Sequence, residues 1–253
     1  MDGAEGSVTR WLGDLWREVT TPQPPPPGPV VLGAVVAVLV VLAMPRLWRV
    51  ARHALTIVHE AAHAAVAVLT GRRLQGIRLH SDTSGLTVSV GLPRGPGMVA
   101  TAFAGYPGPA VLGLGAAWLL SRGYAVGVLW ALLVVLALVL LQIRNGYGLW
   151  VVLVSGVVLV LLTSWAPSAW QVAAAYAVTG FLLLGAPRAV LELQAARRRE
   201  RRRGRGGSDA DVLAGLTRVP ALLWVGLFLV VCVGAAVLGG SWVLTAGGVL
   251  AGA

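Results

Sequence analysis

Five residues within a run of apolar sequence, His59-Glu60-Ala61-Ala62-His63, have the types and spacing of a metal-dependent hydrolytic site. Two histidines four residues apart on an α-helix point the same way, so both imidazoles can bind one metal ion. Glu60 lies on nearly the same side, where its carboxylate can take a proton from a metal-bound water. Ionisable groups are costly at this depth in apolar sequence and are usually functional. We therefore expect His59 and His63 to be metal ligands and Glu60 to be the catalytic base.

Zinc is the metal that suits two imidazoles and one oxygen ligand, and a catalytic zinc site needs a third protein ligand. Acidic residues are scarce: between residues 19 and 191 the only carboxylates are Glu60 and Asp82. Asp209, farther along the chain, is our first candidate for the third ligand. The same segment has a plainer interpretation, since Ser208 followed by acids in a first turn is typical of a capped helix.

Asn145, beside Gly146, is the alternative third ligand, because its amide oxygen could coordinate a metal at a helix break. It is equally typical of an ordinary turn residue. Asp82 and His80 fit a hairpin turn better than a metal site. His53, one to two turns before the motif, fits a supporting role in its helix better than metal binding.

The composition indicates a protein with several membrane spans, since 57% of the residues are apolar, 12% are charged and the mean hydropathy is +0.79. The net charge of +10 comes from arginine alone. These arginines border apolar spans, where they set topology and meet anionic headgroups, so we expect a lipid bilayer rather than nucleic acid as partner. Cys232 is the single cysteine and cannot form an internal disulfide.

Hydropathy and helix-breaking residues predict an all-α membrane protein, a bundle of about seven transmembrane helices with a small membrane-associated β-hairpin. The spans are expected at about 30–44, 47–70, 98–120, 124–143, 149–162, 170–185 and 219–238. Residues 74–94 alternate in strand fashion around the turn Ser81-Asp82-Thr83-Ser84-Gly85, which predicts the hairpin. Residues 1–29 form an N-terminal amphipathic segment and Pro-rich linker, and residues 30–253 form the membrane domain, with its core at 47–150.

The arginine block at residues 197–205 indicates the orientation of the chain, because basic loops remain in the cytoplasm. Counting back through seven spans places Arg144, the hairpin and the N-terminus on that same side, while Arg52 and Arg122 fall outside. We expect an integral protein of a bacterial plasma membrane whose N-terminus and arginine-rich loop are cytoplasmic.

With these features the chain resembles the site-2 protease family of intramembrane zinc metalloproteases, over roughly residues 50–150. The likeness rests on HEAAH in an early core helix, a membrane-associated hairpin, and the Gly/Pro-interrupted helix Ala104-Gly105-Tyr106-Pro107-Gly108-Pro109. In that family a later Asp-Gly motif supplies the third ligand, and this chain has Asn145-Gly146 at the corresponding place. An actinobacterial-like branch carries Ser-Asp-Ala before its last span, here Ser208-Asp209-Ala210, which favours Asp209.

The resemblance implies a zinc metalloendopeptidase that hydrolyses peptide bonds of membrane-protein substrates, with Glu60 as general base on zinc-bound water. The substrate helix has to unwind locally, and the hairpin edge could bind the unwound strand by β-addition. Two alternatives stay open. One is a catalytically inactive relative that acts as a membrane interaction or metal-binding protein. The other is a transporter, although the sequence has no internal repeat.

Overall fold

The structure, a computed structural model, describes residues 13–201 and 207–248. After a helical stretch at 13–20 and an extended Pro-rich stretch come nine helices, interrupted by one hairpin. They are α1 (Gly28–Ala43), α2 (Pro45–Leu69), β1 (Arg73–Leu79), β2 (Gly85–Val90), α3 (Pro96–Ala104), α4 (Pro107–Ser121), α5 (Ala125–Gln142), α6 (Gly146–Trp165), α7 (Ser168–Arg201), α8 (Asp209–Thr217) and α9 (Ala221–Ala246). Residues 1–12 of the predicted N-terminal amphipathic segment lie outside the described residues.

Proline marks the start of several of these helices, where its missing N–H costs nothing and its fixed φ suits the first turn. It does so at α1, α2, α3 and α4. Pro187 is different, because α7 continues through it from Ser168 to Arg201. The predicted sixth span therefore ends too early, since α7 extends well past Gly185. The predicted fifth span also ends too early, since α6 reaches Trp165.

Two of the apolar segments are bent rather than straight. Met44 has an extended backbone between α1 and α2, and the two helix axes meet at 104°. Gly105 and Tyr106 separate α3 from α4, whose axes meet at 68°. The first bend lies directly before Pro45, and Met44 has the extended conformation that a following proline favours. Tyr106, before Pro107, keeps helical angles (φ −66°, ψ −41°), so the second bend does not have this cause. The second bend brings the start of α4 beside the HEAAH segment of α2.

The fold class is confirmed, since the chain is a helical membrane bundle with one small antiparallel sheet. Four helices, α5, α6, α7 and α9, are long and apolar enough to cross a membrane by themselves. The number rises to six if each bent pair forms one span. The expected count of about seven is approximate, because it counts α1 and α2 as two separate spans.

The hairpin packs its inner face against α2. β1 and β2 pair antiparallel from Arg73↔Val90 to Leu79↔Gly85, with a register shift between Leu74 and Gly76. On the other side of β1, Ile143 forms a parallel bridge with Ile77, and the Arg144 N–H donates to the Ile77 carbonyl at 2.9 Å. The short stretch after α5 thus covers the β1 edge of the hairpin.

The N-terminal segment lies at the end of the bundle opposite to the hairpin. The Gln23 N–H donates to the Gly123 carbonyl at 2.8 Å, in the turn between α4 and α5. Residues 23–26 border a small cavity there with Tyr176, from the first half of α7. Arg197 and Gly207, which flank the arginine-rich loop, border a second cavity at the other end of α7. Residues 23–26 and the residues that flank the arginine-rich loop therefore lie near opposite ends of α7.

Arg52 of α2 lies near the same end of α7 as Arg197. Its guanidinium is 3.3 Å from the Glu192 carboxylate in the second half of α7, and both arginines border the second cavity.

Candidate metal centre and active site

Three side chains from two distant parts of the chain converge beside α2. The Nε2 atoms of His59 and His63 lie 3.1 Å apart, and Asp209 Oδ2 lies 3.2 Å from each of them. Within the described residues this is the one cluster of histidine, cysteine or acidic side chains that could hold a metal ion. The two histidines come from adjacent turns of α2, as their spacing predicts, and Asp209 from the first turn of α8.

The orientation of His63 is fixed from behind. Its Nδ1 lies 2.6 Å from the Thr101 carbonyl oxygen, which can only accept a hydrogen bond. Nδ1 therefore carries the proton, and the lone pair of a neutral His63 is on Nε2, facing His59 and Asp209. A backbone carbonyl behind a histidine is a common way to orient a metal ligand.

The triangle of three facing atoms has the dimensions of a metal site. Ligands at about 2.0–2.1 Å from a tetrahedral zinc ion are roughly 3.3 Å from one another. The observed separations are 3.1 and 3.2 Å. His63 Nε2 and Asp209 Oδ2 both accept, so a proton or a metal ion has to lie among the three atoms at these distances. The donor set and its geometry thus fit a zinc ion with one position left for a water or substrate oxygen.

Asp209 reaches the histidines because α8 begins there. The Ser208 side chain caps this helix by accepting a hydrogen bond from the Asp211 N–H, so the Asp209 side chain is not needed for the cap. Asp209 Oδ2 is buried, and apart from the two imidazoles the described residues offer it no partner. Burial alone would raise the pKa of this carboxyl, but attraction by protonated His59 and His63 outweighs it and holds the pKa below its usual range. Both interpretations of the segment therefore apply, to different residues.

Gly105, at the bend between α3 and α4, leaves the space in front of the histidines open. A Cβ atom on this residue would lie 2.5 Å from His59 Cε1 and 2.6 Å from His59 Nε2, and it would overlap His63 Nε2. A residue with any side chain would occupy the space between the metal-binding atoms. The sequence shows this glycine only as part of a helix break, so its closeness to the histidines could not be predicted.

Glu60 is buried, with 4% of its surface exposed, and its carboxylate is held by the hairpin. The Thr87 hydroxyl of β2 lies 2.6 Å from Glu60 Oε2 and 3.1 Å from the Glu60 carbonyl oxygen. Gly85 of the same strand lies flat against the carboxylate, since a Cβ there would be 2.6 Å from Glu60 Cγ. Thr87 and Gly85 are two positions apart in β2 and therefore lie on the same face of the strand, but only the tertiary structure shows what that face contacts.

These groups open into one cavity of about 470 Å³. His59, Glu60, Asp209 and Gly85 line its inner part, with the Tyr106 ring packed edge-on against the His59 ring at 4.8 Å between centroids. Polar and apolar residues together line the rest, and the polar ones include Arg52, Thr56, Ser84, Glu192 and Arg197. Arg52, Thr56 and His59 of α2 thus face a partly polar cavity within the bundle. The volume is in the usual range for a ligand site, about 300–1,000 Å³.

The remaining candidates lie elsewhere. The Asn145 side chain is engaged with β1: its Oδ1 accepts from the Leu79 N–H at 3.1 Å, and its Nδ2 donates to the Leu79 carbonyl at 2.7 Å. Asp82 accepts from the Ser84 hydroxyl and N–H in the hairpin turn, which lowers the pKa of its carboxyl. His53 bonds to the Tyr147 hydroxyl at 2.9 Å and so links α2 to α6.

The comparison with protein families agrees with this geometry. The family model described as Peptidase M50B-like matches residues 32–239, which is most of the chain. The chain belongs to this site-2 protease family. Searches of the curated proteins and of the solved structures gave no match. The match includes all three residues of the metal-binding triangle and Glu60, and membership identifies the chain as a peptidase-family membrane protein.

Proposed function

We propose that this member of the M50B-like family is a zinc metalloendopeptidase that cleaves membrane-protein substrates within or beside the bilayer. The observation that carries the proposal is the convergence of His59, His63 and Asp209 beside a cavity that Glu60 also lines, inside an apolar bundle. The domain that does this is residues 30–253, and it includes Asp209, which lies outside the expected core of 47–150.

A zinc ion held by the three side chains would activate water and polarise the peptide carbonyl. Glu60 is the base: its carboxylate takes the proton of the attacking water and then hands it to the leaving nitrogen. Thr87 and Gly85 hold that carboxylate in one orientation, so little reorganisation is needed when the proton moves. Burial of Glu60 keeps competing water away from it.

The hairpin gives the substrate a place to unwind. A peptide bond within a helix is shielded by its own hydrogen bonds, so the segment to be cut has to become extended. The β1 edge is covered at Ile77 by Ile143 and Arg144, and in the described part of the chain no strand pairs with the other edge of β2. An unwound substrate can add to β2 as a further strand, next to the residues that hold Glu60.

We further propose that the protein lies in a bacterial plasma membrane, with the hairpin, the cavity and the arginine-rich loop toward the cytoplasm. Arg52, Arg144 and Arg197 all lie at this end of the bundle, whereas Arg122 lies at the other, and basic residues are retained on the cytoplasmic side. The inactive-relative alternative was based on the missing Asp-Gly motif. That reason weakens because Asp209 brings a carboxylate to the two histidines.

The test uses the full chain purified in detergent and co-expressed single-span reporters that release a soluble tag on cleavage. We expect about one zinc per chain, and we expect Glu60→Gln to retain the zinc while cleavage falls at least about 100-fold, since general base catalysis typically contributes 10²–10⁴-fold. Asp209→Asn and His59→Ala are expected to lose the zinc itself. Cleavage by Glu60→Gln at the wild-type rate, or a wild-type chain without zinc, would refute the proposal.

A further inference from the structure

The first turn of α8 carries two acidic residues with different surroundings. Asp209 faces the histidines, whereas Asp211 faces the end of α7 and binds Arg197. The Arg197 side chain is 5% exposed, although it carries a full charge next to the arginine-rich loop. Burying a guanidinium costs free energy unless its N–H groups are hydrogen-bonded, so the partners of Arg197 have to compensate for its burial.

Arg197 makes a two-pronged contact with Asp211. Its Nη2 donates to Asp211 Oδ1 at 2.6 Å, and its Nε lies 3.2 Å from Oδ1 and 3.3 Å from Oδ2. Its Nη1 donates to Gln194 Oε1 at 3.1 Å, within the same helix. The Ser208 hydroxyl donates to Asp211 Oδ2 at 2.6 Å, so the carboxylate is held from two sides. Bidentate pairs of this kind fix orientation as well as distance.

Successive residues of an α-helix are rotated by about 100°, so side chains two positions apart point roughly in opposite directions. A contact that fixes Asp211 therefore also fixes the rotation of α8 that points Asp209 toward the histidines. The buried residues Ala210 and Leu213 hold α8 against the bundle, but apolar contacts are non-directional. Metal coordination is demanding, with distances held to about 0.2 Å.

We propose that Arg197 is a positioning residue for the third metal ligand: it grips Asp211 and thereby holds Asp209 in place. The inference rests on the zinc site of the proposed function. It also gives a role to the first arginine of the basic block, whose composition suggested only a topology signal.

The experiment measures how fast a chelator removes zinc from the detergent-solubilised full chain. Arg197→Met and Asp211→Asn are each expected to speed the loss at least tenfold. Because both remove the same contact, the double variant should be no faster than the faster single variant. Arg188→Met is the matched control. Arg188 lies on the same helix and contacts Glu192 and the Trp48 ring, so its loss should leave zinc release unchanged.

A spectroscopic readout separates positioning from general stability. With cobalt(II) in place of zinc, the visible absorption of Arg197→Met should shift toward that of Asp209→Asn, which lacks the carboxylate ligand. Arg197→Lys, which keeps the charge but not the two-pronged contact, should restore only part of the wild-type behaviour. Wild-type zinc release and cobalt spectra in both Arg197→Met and Asp211→Asn, with zinc lost from Asp209→Asn, would overturn the inference and leave the proposed function standing. A wild-type chain that binds no zinc would overturn both.

Discussion

Gly105→Ala is the smallest change that tests the metal centre, because it adds one methyl group at the place where the metal-binding atoms meet. The backbone of Gly105 is helical, with φ −56° and ψ −63°, so alanine is tolerated there without backbone strain. The new Cβ would lie 2.6 Å from His59 Nε2, against about 3.5 Å for an ordinary contact. The imidazoles have to move by roughly 1 Å, several times the 0.2 Å that coordination distances allow.

We expect this displacement to weaken zinc binding by about 100-fold or more, which corresponds to roughly 2.7 kcal/mol. The assay is competition with a chelator of known affinity, with the zinc content and thermal unfolding of the same preparation measured in parallel. Gly115→Ala is the control, because Gly115 lies in α4 and a Cβ there would have no neighbour within 4 Å. A Gly105→Ala chain that folds and binds zinc as tightly as wild type would show that the histidines do not face this glycine when the metal is bound.

Three further predictions concern the hairpin and the topology. Thr87→Val should lower kcat about tenfold with little change in KM or zinc content, because a hydrogen bond to a charged group contributes roughly 1.5–3 kcal/mol, and Thr87→Ser should restore most of the rate. An equal effect of both substitutions would contradict the role of the hydroxyl. Asn145→Ala should keep the zinc but make the hairpin more open to proteolysis, since two bonds to β1 are lost. Loss of zinc from this variant would instead indicate that Asn145 is a metal ligand. In a Cys232→Ala background, cysteines at Thr21 and Gly207 should react with an impermeant maleimide from opposite sides of the membrane, and labelling from one side would contradict the fold.

The geometry of the HEAAH motif could be predicted from the sequence because it is local. A spacing of four residues in an uninterrupted helical stretch determines the relative positions of His59 and His63, whatever the rest of the fold does. The residues that complete the site are not local. Gly105, Thr87 and Gly85 act through contacts with α2 that depend on how a bent helix pair and a hairpin pack. Each has an ordinary local explanation, as a helix break or a strand residue, and nothing in its neighbours contradicts that explanation.

The count of spans is approximate for a related reason. Hydropathy measures how apolar a segment is but not the direction in which it runs. The segments on the two sides of Met44 were counted as two crossings, at about 30–44 and 47–70. In the fold the axes of α1 and α2 meet at 104°, and the two helices are apolar enough to cross a membrane only when they are taken together as one bent span. α2 borders the cavity, where Arg52 lies beside Glu192.

The choice between Asn145 and Asp209 shows what the sequence can and cannot decide. Both residues begin a helix, both have a small neighbour, and both have an oxygen that could bind a metal. What separates them is the competing partner of each side chain. The backbone of Leu79 in β1 engages both ends of the Asn145 amide, a role that an aspartate could not fill because it has no donor. At the start of α8, the Ser208 side chain accepts the hydrogen bond of the Asp211 N–H. The Asp209 carboxylate is therefore not used as the cap and faces the histidines. The two positions therefore need different residues. Position 145 has to donate a hydrogen bond to a strand, which asparagine can do. Position 209 has to bring a negative charge to two imidazoles, which aspartate can do.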